Sequence, residues 1–159
     1  SEMCIRDRQQ TVIDLVNGLM SKDNEHAYAC LKELQALSAR SNDVYPFFDT
    51  FASMLESSNS YIRTRGAFLI AANAKWDEEN KLDEIISRFL MLIMDEKPIT
   101  ARQCIKLMPA VAKHKPELKD IIKNALYKTD TEKYKPSMQK LILGDIKDAL
   151  EQIERPKEA

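Results

Sequence analysis

Four side chains in this sequence could ligate a metal or support nucleophilic catalysis: Cys30, Cys104, His26 and His114. A zinc centre needs thiolates and imidazoles converging on one point, and a cysteine nucleophile needs a base within hydrogen-bond reach. Both histidines read as turn residues beside asparagine and lysine, and each cysteine reads as part of its own apolar helix. On that placement no two of the four share a helical turn. Neither a metal centre nor a catalytic site is expected, and no glycine-rich phosphate loop occurs. The chain is therefore expected to be non-enzymatic and to carry no cofactor.

Three other groups could act on a partner. Trp76, the sole tryptophan, falls in the turn Lys75-Trp76-Asp77-Glu78-Glu79, where an exposed indole would be an interface anchor and a buried one would cover the end of a helix pair. Asp77, Glu78 and Glu79 have the types of an acid/base set, but adjacent carboxylates in a polar turn read as a solvated cap. Arg102, Lys106, Lys113, Lys115, Lys119 and Lys123 could track phosphates. Glu117 and Asp120 interrupt them, and the whole chain has 24 basic against 25 acidic residues, a formal charge of −1, so nothing draws it globally to nucleic acid or anionic lipid.

The elements that must position these residues repeat. Leu34, Leu37, Ala39 and Arg40 recur as Leu69, Ala72, Ala74 and Lys75, then as Leu107, Ala110, Ala112 and Lys113. After each set comes an apolar stripe at i, i+3, i+4, i+7: Val44, Phe47, Phe48, Phe51; Leu82, Ile85, Ile86, Phe89; Leu118, Ile121, Ile122, Ala125. Spacings of 35 to 38 residues with two helices per unit predict a stack in which each unit buries its face only against its neighbours. Val12, Leu15, Val16 and Leu19 open the chain as a leading half-repeat. A long helix carrying Met138, Leu141, Ile142, Ile146, Ala149, Leu150 and Ile153 closes it as a cap, which should turn a polar face outward. Asp23 or Asn24 is suited to cap the first full repeat, Gly66 to let a neighbouring helix approach closely, and Pro98 to Gln103 to form a Thr/Gln capping box.

At Ile62-Arg63, with Gly66 where a small residue is usual and Leu69-Ile70 after it, the chain resembles a HEAT repeat over three units from Asn24 to Leu126. Ala101 stands where Arg63 stands in the preceding unit, a departure from a continuous arginine ladder. The chain as a whole also resembles small bacterial HEAT-like proteins filed under a SufBD, iron–sulfur-assembly label. That chemistry is not carried over, because it needs convergent ligands. The fold implied is an all-α, right-handed α–α superhelix of HEAT or armadillo type.

Ser1 to Arg8 shares none of this periodicity and resembles a translated sequencing-library adapter of the kind left in assembled metagenomic reads. The expected organisation is a non-native segment at 1–8, one helical-repeat domain at 9–154 and a frayed tail at 155–159. The natural chain is expected to have begun upstream of Gln9. Setting the octapeptide aside removes two bases and two acids and leaves the charge balance as it was. Without Cys4, two cysteines remain, too few for a disulfide framework, and no apolar run of about 20 residues could span a bilayer. A cytoplasmic location with no membrane partner is expected.

The resemblance implies that the second helix of each pair lines a concave side. Its rungs would be Asp49 and Thr50, then Ser87 and Arg88, then Lys123 and Asn124, with Met91 and Tyr127 extending two of them. The expected function is a protein–protein interaction module or scaffold, its partner not identified by the sequence and its oligomeric state open. Two alternatives stand beside it: a nucleic-acid-binding protein of the HEAT-like DNA glycosylase kind, and a structural subunit that oligomerises.

Overall fold

The computed structural model describes residues 4–155; the expected tail beyond Arg155 lies outside them. Among these residues the chain is all-helical, with eight α-helices: α1 (Ile5–Gly18), α2 (Asn24–Arg40), α3 (Phe48–Met54), α4 (Ser60–Ala72), α5 (Lys81–Met91), α6 (Pro98–His114), α7 (Lys119–Tyr127) and α8 (Pro136–Glu154). None of the described helices is long and apolar enough to cross a membrane. The chain divides into two compact units, Ser1–Glu79 and Asn80–Ala159.

Local chemistry fixes the helix starts. Asp23 caps α2 by accepting from the amides of Glu25 and His26, and Asn59 caps α4 by accepting from Tyr61. Before α3 and α7 stand 3-10 turns, Tyr45–Phe47 and Pro116–Leu118, where proline's missing donor is harmless. The Thr/Gln capping box does not form. Pro98 begins α6, Thr100 lies inside the helix and is buried, and the entry is held by Asp95, which accepts from the Lys97 amide at 2.9 Å.

In the first unit α2 packs against α1 and α4, and α3 packs against α4. Helix α4 is buried around most of its circumference, so its sequence lacks the polar stripe of a surface helix. A Cβ on Gly66 would lie 2.8 Å from both the Met54 Cβ and the Phe51 carbonyl oxygen, the close approach expected of that residue. Helix α1 extends back through Ile5–Arg8, residues that the sequence pattern set apart. Their side chains are exposed and add nothing to the core; local hydrogen bonds such as Arg8 N–H to the Cys4 carbonyl suffice to wind them.

In the second unit α6 is central and packs against α7 and, most extensively, α8. Cys104 is fully buried among Ala101, Ile105 and Met108 on that helix. The apolar stripes fall inward as their spacing requires at Val44, Phe48, Phe51, Leu82, Ile86, Phe89, Leu118 and Ile122. Two positions depart from the pattern: Ile121 is 48% exposed, and on α8 Leu141 is 45% exposed. By helical spacing each lies at the edge of its stripe.

Candidate functional site

The turns between helices carry a set of long-range polar bonds. At the end of α2 the last carbonyls lack partners within the helix. In the first unit Trp76 Nε1 donates to the Ser38 carbonyl at 2.7 Å, and Lys75 Nζ donates to the Ala39 carbonyl. Beneath them the fully buried Asn73 Nδ2 reaches Ser38 Oγ at 3.1 Å. Trp76 is half-buried, and its indole covers a helix end. Asp77 departs from the solvated reading: it is buried and accepts from the Tyr45 hydroxyl, whose pKa is raised by burial and by that carboxylate. Glu78 and Glu79 are exposed.

The second unit repeats this arrangement. The buried Lys115 ammonium donates to Asn80 Oδ1 at 2.8 Å and pairs with Asp83 at 2.9 Å and Glu117 at 3.1 Å. Asn80 holds a left-handed φ of 55°, which asparagine tolerates better than most residues. Lys133 Nζ and the Tyr134 hydroxyl donate to the carbonyls of Met94 and Asp95.

The placement of the histidines is corrected. His26 lies in the first turn of α2, four residues before Cys30, so the two share a helix face, and His26 Nε2 stands 3.7 Å from Cys30 Sγ. His114 is the last residue of α6. The thiol–imidazole pair lacks the lowered thiol pKa that activates a cysteine nucleophile. Burial, with Glu33 adding to it, pushes the Cys30 pKa up, whereas a nucleophile needs it lowered. Cys30 packs beneath α1, since a Cβ on Gly18 would fall 2.4 Å from its sulfur. Among the described residues no group of three His, Cys, Asp or Glu side chains gathers as a metal site would require.

Three of the six basic candidates are held by carboxylates of their own unit. Arg102 Nε meets Asp145 at 2.6 Å, Lys115 is paired as above, and Lys123 Nζ meets Glu154 at 3.1 Å. The Arg102 pKa is raised chiefly by its hydrogen bond to Asp145. Lys106 and Lys113 are exposed and Lys119 half-buried. Lys106 lines a hollow of about 190 Å³ between α6 and α8, with Pro109, Asp145, Asp148, Ala149 and Gln152. That is below the size of ordinary small-molecule sites.

Of the rung residues, Asp49 and Thr50 are exposed on α3. Ser87 is exposed and Arg88 half-buried on α5, one turn before Met91, which is 69% exposed. Asn124 and Tyr127 are exposed on α7, but Tyr127 is not free: its hydroxyl donates to Glu154 at 3.1 Å, alongside Lys123. Those two partners hold the Glu154 carboxyl below its ordinary pKa, the Lys123 hydrogen bond most of all.

Arg65 escaped the sequence reading, which followed Arg63. Both are buried: Arg63 donates to the Ser57 carbonyl at 3.0 Å, and Arg65 to the Leu19 carbonyl and Asn24 Oδ1, each at 2.9 Å. Two arginines in a helix otherwise rich in small and aliphatic residues were the available signal. Comparison of the chain with protein-family models and with curated proteins gives no match.

Proposed function

We propose that this chain is a HEAT-like stack of helix pairs, forming a right-handed superhelix, that binds another protein on its concave side and catalyses no reaction. The observation that carries this reading is the spacing of one set of hydrogen bonds that join turn to turn. In the first unit they join residues 35, 36 and 38 apart, at Asn73 with Ser38, Lys75 with Ala39 and Trp76 with Ser38. In the second they join residues 35 and 39 apart, at Lys115 with Asn80, Lys133 with Met94 and Tyr134 with Asp95. These separations of 35 to 39 residues fall within one residue of the 35- to 38-residue sequence period, as they would if each turn rested on the equivalent turn of the preceding pair. Buried cysteine thiols at Cys30 and Cys104, rather than a disulfide framework, suit a reducing, cytoplasmic setting.

Rigid presentation of Ser87, Arg88, Met91, Asn124 and Tyr127 would lose little ordering entropy on binding, with Arg88 meeting acidic groups and Met91 and Tyr127 supplying apolar area. The test is selection of binders from a displayed peptide library, followed by mapping of amide chemical shifts on the isotope-labelled chain. The reading expects shifts centred on α5 and α7 and loss of binding in Met91→Glu. Binders that shift only other helices, or that tolerate Met91→Glu, would overturn it.

A further inference from the structure

The outward side of α8 does not look like the polar face of a closing helix. Leu143 is 53% exposed, and beside it Gly144 would find nothing within 4 Å of an added Cβ. Glycine in the middle of a helix weakens it through backbone entropy, and no neighbour in this unit gives a steric reason for it. Lys140, Leu143, Gly144 and Lys147 stand at i, i+3, i+4 and i+7 and so form one stripe. From 133 to 147 the exposed residues include four lysines and no carboxylate, because Asp145 is turned inward onto Arg102. The stripe ends where Asp148 and Glu151 return to the surface.

We propose that this stripe is a docking face for an acidic amphipathic helix of a partner protein. Its apolar side chains would cover Leu143, with Leu141 at the margin, its backbone would pass close over the notch at Gly144, and its carboxylates would meet Lys140 and Lys147. Charge decides against a second copy docked through the same stripe, since lysines would then face lysines. Nucleic acid would use the lysines but gains nothing from an exposed leucine beside a glycine notch. The stripe is separate from the rungs on α5 and α7, so the proposal stands or falls independently of the concave-face reading.

The test uses the full chain and a fluorescein-labelled acidic peptide of leucine, alanine and glutamate, about 18 residues long so that it can be helical, followed by anisotropy. Saturable binding is expected, weakened about tenfold or more by Lys140→Glu with Lys147→Glu, by Leu143→Ser and by Gly144→Gln. All of these positions are exposed, and circular dichroism checks that each variant stays folded. A control peptide with serine for leucine should bind at least about tenfold more weakly. The proposal is overturned if the acidic peptide does not bind, or if the variants bind it as wild type does. It is equally overturned if phosphatidylserine vesicles or duplex DNA engage these residues while the peptide does not.

Discussion

The indole nitrogen of Trp76 closes the end of a helix from which it is 38 residues distant in sequence, donating to the Ser38 carbonyl at 2.7 Å. Trp76→Phe would keep much of the ring's cover but leave that carbonyl without its donor, a cost of about 1 kcal/mol. Trp76→Ala would lose the cover as well, for about 3 kcal/mol. Urea unfolding followed by circular dichroism measures both. A Trp76→Ala variant as stable as wild type would show that the ring is an outward anchor rather than a cap.

Helix α5 offers a direct test of which face is core. Ile86 is 8% exposed, whereas Arg88, two positions on, is half-buried at the margin. Ile86→Ala should cost about 2–5 kcal/mol through a cavity, and Arg88→Ala less than about 0.5 kcal/mol. Equal shifts in the unfolding midpoint would contradict the assigned faces.

Helix existence and core positions were legible because burial of a helix face imposes a period, and Phe48, Phe51, Ile86 and Ile122 obey it. Asp23 as a cap and Gly66 as a contact point were legible for similarly local reasons. The polar bonds were not. Trp76 meeting Ser38, or Lys115 meeting Asp83, depends on which turn lies beside which, and no local pattern in the sequence encodes that adjacency. His26 was read as a turn residue, yet the Asp23 cap starts α2 at Asn24 and so places His26 within its first turn. The edge residues Leu141 and Ile121 were read as core because a stripe shows where apolar residues align but not how wide a part of it is covered.

Two glycines in helices should respond oppositely to alanine. At Gly66 the new Cβ would lie 2.8 Å from backbone oxygen and from another Cβ, so α3 and α4 must separate, at about 1–3 kcal/mol. At Gly144 the space is open, and alanine should stabilise α8 by about 0.5–1 kcal/mol. Thermal melting of the two variants reads the sign directly. Stabilisation at Gly66 would mean that the α3–α4 contact is looser than described.

Tyr134 gives the fold an alkaline limit. Its ring is 6% exposed, its hydroxyl donates to the Asp95 carbonyl, and its pKa is pushed up to about 12, by burial first and then by the nearby Asp95 charge. An unfolded tyrosine ionises near 10. Between the two values the unfolded chain has released this proton while the folded chain still holds it, so stability falls as pH rises. The contribution is fully present below about pH 10 and is lost through about pH 12, with a magnitude of order 2 kcal/mol. Tyr134→Phe should therefore be less stable than wild type by about 1 kcal/mol near pH 8. It should draw level with wild type, or pass it, as the pH approaches 12. Urea midpoints for both proteins across this range measure the difference, and ionisation of the remaining tyrosines and lysines cancels in the comparison. A gap that stays constant from pH 8 to 12 would show that the Tyr134 hydroxyl is not held neutral in the folded protein.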